Sequence, residues 1–122
     1  MFSADIITLF PEPVQAYLDA SIPGRSQAKG LARLRAVDLK DYCGHDHHLA
    51  DDEPFGGGAG MVLKPEPIFA AVADLRRPET KVILTDAGGR ILDHPLAREL
   101  SLEEHLVFIC GRYKGCLLYT SP

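Results

Sequence analysis

The sequence predicts an α/β fold, a mainly parallel sheet flanked by helices, and three observations carry that prediction. Short β-branched apolar runs recur along the chain, as ADIITLF at Ala4–Phe10, KVILT at Lys81–Thr85 and LVFIC at Leu106–Cys110. Helix-spaced segments lie between them, which is the pattern of βαβ units. The runs are mainly apolar rather than alternating, as strands covered on both faces require.

Element by element, Pro11 and Pro13 close the first run, and Pro13 suits the first turn of a helix carrying Val14, Tyr17 and Leu18. Ser21–Gly30 is interrupted by Pro23, Gly24 and Gly30 and reads as a loop with room for a short helix. Leu31–Leu39 is assigned as a strand, with Leu31, Leu34, Val37 and Leu39 set imperfectly against Arg33, Arg35 and Asp38. No period runs from Asp41 to Lys64, and a connection of about 20 residues is long for a compact domain and points to function or mobility. Pro65–Arg77 has helix spacing, with Ile68, Ala71, Val72 and Leu75 on one face and Pro67 near its start. The KVILT strand ends at the turn Asp86-Ala87-Gly88-Gly89. A short helix at Pro95–Leu100 leads to LVFIC and the turn Gly111-Arg112-Tyr113.

A chain of 122 residues, 46% hydrophobic and 25% charged, makes one ordinary globular domain or part of a larger one. Seventeen acidic against thirteen basic side chains give a net charge of −4, which argues against a general nucleic-acid coat. The charge is uneven. Arg25, Lys29, Arg33, Arg35 and Lys40 cluster around the single acid Asp38, whereas Asp41–Glu53 holds acids and no Lys or Arg. Cys43, Cys110 and Cys116 form no CxxC pair, so no disulfide framework is expected. No apolar run approaches about 18 residues, and Asp5 stands where a secretory signal carries basic residues. A cytoplasmic protein without a membrane partner is expected.

Ligands of parallel sheets bind outside the carboxyl ends of the strands. Two turns fall there, Asp86–Gly89 and Gly111-Arg112-Tyr113-Lys114-Gly115. Their glycines allow close backbone approach to a ligand, and Tyr113 offers a flat apolar face with a polar tip. Plain turns and a packed tyrosine would look the same by composition. A third stretch, Asp51–Met61, has four glycines in Gly56–Gly60 but no Gly-Lys-Ser/Thr closure and no dinucleotide fingerprint. It reads either as a flexible linker or as a loop closing over a substrate. His45, Asp46, His47, His48, Asp51 and Asp52 invite a metal hypothesis, but they lack HExxH or Cys/His spacing, so no metal site is expected.

Taken together, ADIITLFPE, GRSQAKGL at Gly24–Leu31, HDHHLADDEPFGGGAGM at His45–Met61 and ICGRYKG at Ile109–Gly115 resemble, in order, the bacterial tRNA (guanine-N1)-methyltransferases of the SPOUT class of knotted α/β enzymes. The resemblance spans residues 2–115. It implies S-adenosylmethionine-dependent methylation of N1 of the guanosine just 3′ of the tRNA anticodon, by a homodimer. By motif match, Gly111, Tyr113, Gly115, Asp86, Ala87 and Gly88 bind the cofactor, while Arg25, Asp52, Gly57, Gly58 and Arg112 face the RNA substrate. Magnesium is compatible with the chemistry but has no ligand set legible in the sequence. No catalytic residue is assigned, because the family's general base, an aspartate, follows the GRY turn at a distance that falls beyond residue 122. The knot region lies beyond it too.

Two features depart from the pattern. Lys114 stands where the family carries an acid, and CLLYTSP at Cys116–Pro122 matches nothing expected. The sequence therefore reads as the N-terminal part of a SPOUT domain over 1–115 and a non-native tail over 116–122, inactive by itself. The alternative from another class is a non-enzymatic nucleotide-binding or interaction domain.

Overall fold

A computed structural model describes residues 1–43, 51–52, 62–63, 65–85, 88–110 and 115–116. In chain order the elements are β1 (Phe2–Thr8), α1 (Pro11–Leu18), α2 (Ser21–Ala28), β2 (Ala32–Asp38), a 3₁₀ turn (Leu39–Tyr42), β3 (Asp51–Asp52), β4 (Val62–Leu63), α3 (Pro65–Leu75), β5 (Thr80–Leu84), α4 (His94–Ser101), β6 (His105–Ile109) and β7 (Gly115–Cys116). Four strands form one sheet in the order β2-β1-β6-β5, every neighbouring pair parallel. This is the architecture the apolar runs predict, with the strands β1, β5 and β6 starting one or two residues earlier than the runs suggest.

The most apolar strands take the middle of the sheet because only there are both faces covered. Register puts Val37, Ile7, Ile109 and Leu84 in one row across all four strands. Ile7 and Ile109 in that row are fully buried, and Ile68 and Ala71 of α3, Leu39, Cys43 and Leu9 close over it. Each such side chain contributes about 1.5–3 kcal/mol by leaving water. The row below contains Val107 and Val82, also in this core.

Ser21–Ala28 corrects the sequence reading. The stretch expected to be a loop with a short helix is an eight-residue helix. Pro23 falls in its first turn, where the missing N–H breaks no bond. Gly24 serves the tight joint between α1 and α2, where an added Cβ would lie 2.2 Å from the Asp19 carbonyl oxygen. Gly30, at φ +73°, ends the helix in the left-handed region as a C-terminal glycine does. Two glutamines from these helices then cover the outer edge of β2. Gln15 Oε1 accepts the Ala36 N–H at 2.8 Å, and Gln27 Oε1 accepts that of Leu34 at 3.4 Å. An edge strand that would otherwise offer free amides is thereby closed on that side.

The aperiodic segment after β2 begins with the 3₁₀ turn, whose Tyr42 Oη donates to Asp74 Oδ2 of α3 at 2.6 Å. Burial first, then this hydrogen bond and the Asp74 charge, push the Tyr42 phenol from 10.0 up to about 12. Because the folded state favours the neutral phenol, the contact's contribution to stability holds below pH 10 and is lost as the pH rises through about 12. A phenolate absorbance titration is expected to show one tyrosine with this late midpoint. Tyr42→Phe removes that component, and Asp74→Ala moves it part of the way back.

Candidate cofactor and substrate site

Strand order places β1 and β6 side by side at the centre of the sheet, and because all four strands are parallel their carboxyl ends share one edge. Ligands of open parallel sheets bind outside such carboxyl ends. The exits are tied together by backbone and side-chain bonds. Cys110 N–H donates to the Ile7 carbonyl at 3.0 Å. Thr85 binds the Ile109 carbonyl twice, through its N–H at 3.1 Å and its hydroxyl at 3.0 Å. The chain following β5 and the chain following β6 therefore leave the sheet as neighbours, at one height. Burial pushes the Cys110 thiol up, with Thr85 opposing in part, which keeps it away from thiolate chemistry near neutral pH.

Gly88 and Gly89 lie exposed in the turn after β5. A cavity of about 380 Å³ opens between this turn, the sheet and α4, lined by Ile83, Phe108, Leu96 and Leu100, with Thr85 and Gly89 at one end. Its size is in the range of small-molecule sites. α4 is set against it by Asp93, whose Oδ1 accepts the Leu96 N–H at 2.9 Å as an N-cap. Asp86, Ala87, Gly111, Arg112 and Tyr113 lie outside the described residues, as do Gly57, Gly58 and the His45–His48 cluster. Among the described residues, no His, Cys, Asp and Glu group is arranged to hold a metal ion.

A second, three-stranded sheet joins the two remaining motif regions. β3 pairs antiparallel with β4, and β4 pairs parallel with β7. Asp52 and Gly115 are both partners of Val62, one on each side. The candidate substrate residue and the end of the candidate cofactor turn are thus held two strand spacings apart, about 10 Å. This pairing was not legible beforehand, because two-residue strands carry no periodicity. Arg25 is exposed on α2, which packs along the β2 edge. Sequence reasoning also missed Thr85 as the residue that couples the two exits; a hydroxyl ending an apolar run was its only signal.

A four-stranded parallel sheet flanked by helices, with the exits of β5 and β6 side by side, is the fold of a SPOUT methyltransferase domain. The crystal structure of tRNA (m1G37) methyltransferase from Aquifex aeolicus superimposes with a TM-score of 0.80 at 34% identity, over 94% of this chain and 53% of that one. The profile of the family described as tRNA (Guanine-1)-methyltransferase TrmD matches residues 2–117. The chain belongs to that family. Relatives named tRNA (guanine-N(1)-)-methyltransferase include one from Dictyoglomus turgidum, 44% identical over 94% of this chain and 47% of its own length. One from Staphylococcus epidermidis is 48% identical over 91% of this chain and 46% of its own length. The chain spans about half the length of the curated relatives it matches. Among the described residues, no helix is long and apolar enough to cross a membrane.

Proposed function

We propose that this chain is the cofactor-binding half of an enzyme that methylates N1 of the guanosine 3′ of the tRNA anticodon, using S-adenosylmethionine, as a cytoplasmic homodimer. The observation that supports it most is the pairing of the two glycine-bearing exits at adjacent strand ends, joined through Thr85 and Ile109. The donor set fits the cofactor: exposed glycine backbone at Gly88 and Gly89, beside an apolar-lined cavity of ligand size.

When bound, the cofactor supplies a methyl group on a sulfonium. In this reading Asp86, Ala87 and Gly88 hold its adenosine part through backbone groups, while Gly111, Tyr113 and Gly115 form the facing wall. Asp52, Gly57, Gly58 and Arg112 align the guanine, and Arg25 meets the RNA. Alignment of donor and acceptor supplies much of the rate in such an in-line displacement. The guanine N1 proton needs a base, and this chain provides none in the reading, the base following residue 122 in the whole enzyme. Residues 116–122 are proposed to be a non-native tail, which the genomic sequence across the Gly115 codon tests.

A polypeptide of these 122 residues is expected to transfer no methyl group to tRNA above a no-enzyme blank. Fusing residues 1–115 to the remaining half of the Dictyoglomus turgidum relative is expected to restore transfer to guanosine N1, read by a primer-extension stop. In that fusion Tyr113→Ala raises KM for the methyl donor more than KM for tRNA. A fusion that folds but methylates another base, or none, overturns the reading.

A further inference from the structure

One residue from each strand of the large sheet contributes to an unbroken polar line that crosses it diagonally, from Arg35 and Asp5 at the middle of β2 and β1 to His105 and Thr80 at the start of β6 and β5. Arg35 Nε donates to Asp5 Oδ1 at 2.8 Å, His105 Nε2 meets Asp5 Oδ2 at 2.7 Å, and His105 Nδ1 meets the Thr80 hydroxyl. Thr80 Oγ1 also accepts the Arg77 backbone N–H at 2.8 Å, and Arg77 Nη2 reaches Ser3 Oγ at 3.4 Å. His105 is wholly buried and Asp5 nearly so. Among the described residues, no buried side-chain nitrogen or oxygen lacks a partner.

One order of the hydrogens keeps all of them within this line. An ionised carboxylate only accepts, so His105 Nε2 carries a hydrogen toward Asp5, as Arg35 does on the other side. The Arg77 amide fills an acceptor position on Thr80, whose own hydrogen then points to the bare Nδ1. A hydrogen on Nδ1 would instead take the hydroxyl's second lone pair and turn the Thr80 hydrogen out of the line. The order that keeps every hydrogen within the line is the Nε2–H tautomer of His105.

We propose that this line is a register lock, in which the Nε2–H tautomer of His105 indexes β1, β6 and β5 to one another and so sets the height at which the turns after β5 and β6 leave the sheet. The aliphatic pairs that β5 and β6 share, Val82 with Val107 and Leu84 with Ile109, are poor at this task. A slip of β5 by two residues along β6 keeps every side chain on its own face, so it exchanges one aliphatic contact for another. It would nevertheless displace the turn after β5 by about 7 Å. Besides the Thr85 hydroxyl bond to Ile109, the polar line penalises the slip, since Val82 would then face His105 and leave Nδ1 buried without a donor. Specification of register is the best-attested use of buried polar groups.

The test uses the 122-residue chain labelled with nitrogen-15 and long-range proton–nitrogen correlation of the His105 ring. A pyrrole-type Nε2 and a pyridine-type Nδ1 are expected. Thr80→Val, which removes the hydroxyl at nearly constant shape, is expected to shift the unfolding equilibrium about tenfold toward the unfolded state. It should also speed amide exchange in β5 and β6 more than in β1 and β2, and Thr80→Ser should restore both. The wild-type spectrum decides the tautomer whether or not Thr80→Val folds. The lock is then decided by Thr80→Ser, which must keep both the wild-type ring signals and the β5–β6 exchange rates. A pyridine-type Nε2, mixed tautomers, altered Thr80→Ser exchange, or a Thr80→Val chain with unchanged β5–β6 exchange overturns the proposal.

Discussion

Asp5→Ala is expected to destabilise the chain by about 1–3 kcal/mol, the cost of leaving a buried hydrogen-bond donor without a partner. Asp5 is 3% exposed and carries both the Arg35 guanidinium and the His105 ring. Arg35 has a side chain 44% exposed and can turn to water, but His105 at 0% cannot. The loss therefore falls on the histidine side of the pair. Against a total stability of about 5–15 kcal/mol for a domain, this is a large fraction. A urea melt should show the midpoint falling at unchanged slope. Asp5→Ala combined with His105→Leu is expected to cost less than Asp5→Ala alone, because an apolar group in the ring's place needs no partner. Additive losses in the double variant would show that His105 does not depend on Asp5.

Ile109→Ala is expected to cost about 2–5 kcal/mol, through lost transfer energy and the cavity left behind. Ile109 is fully buried on a central strand, in the row shared with Ile7 and Leu84. Its environment is built from α3 on one side and two strands beside it, none of which can collapse inward without moving the sheet. The position is also the last residue of β6, whose carbonyl receives both bonds from Thr85. Loosening it should therefore reach the ligand-type turns as well as the core. In the fusion described above, Ile109→Ala should lower methyl transfer at temperatures well below its melt. Leu102→Ala, at a side chain 81% exposed, is the control and should change stability by no more than about 0.5 kcal/mol.

Legibility differed from element to element for identifiable reasons. The strands β1, β5 and β6 were readable because burial on both faces leaves a mainly apolar, non-alternating run. α3 was readable because Ile68, Ala71, Val72 and Leu75 recur at the helix period. α2 was not, since Pro23 and Gly24 have local meanings that a helix start and a close helix joint override. Of the site, the glycine turns and their place at strand ends could be inferred, and the motif order pointed to the family.

By itself, then, the sequence determined the class of fold, the strands that occupy its centre and the family of methyltransferases to which the chain belongs, because these follow from periodicity and motif order. Only the tertiary structure decided which distant residues meet. Asp5 and His105 are 100 positions apart, and Asp52 and Gly115 come together only through Val62. Pairing partners in a parallel sheet are set by long crossover connections and mutual burial, which no local stretch of residues encodes.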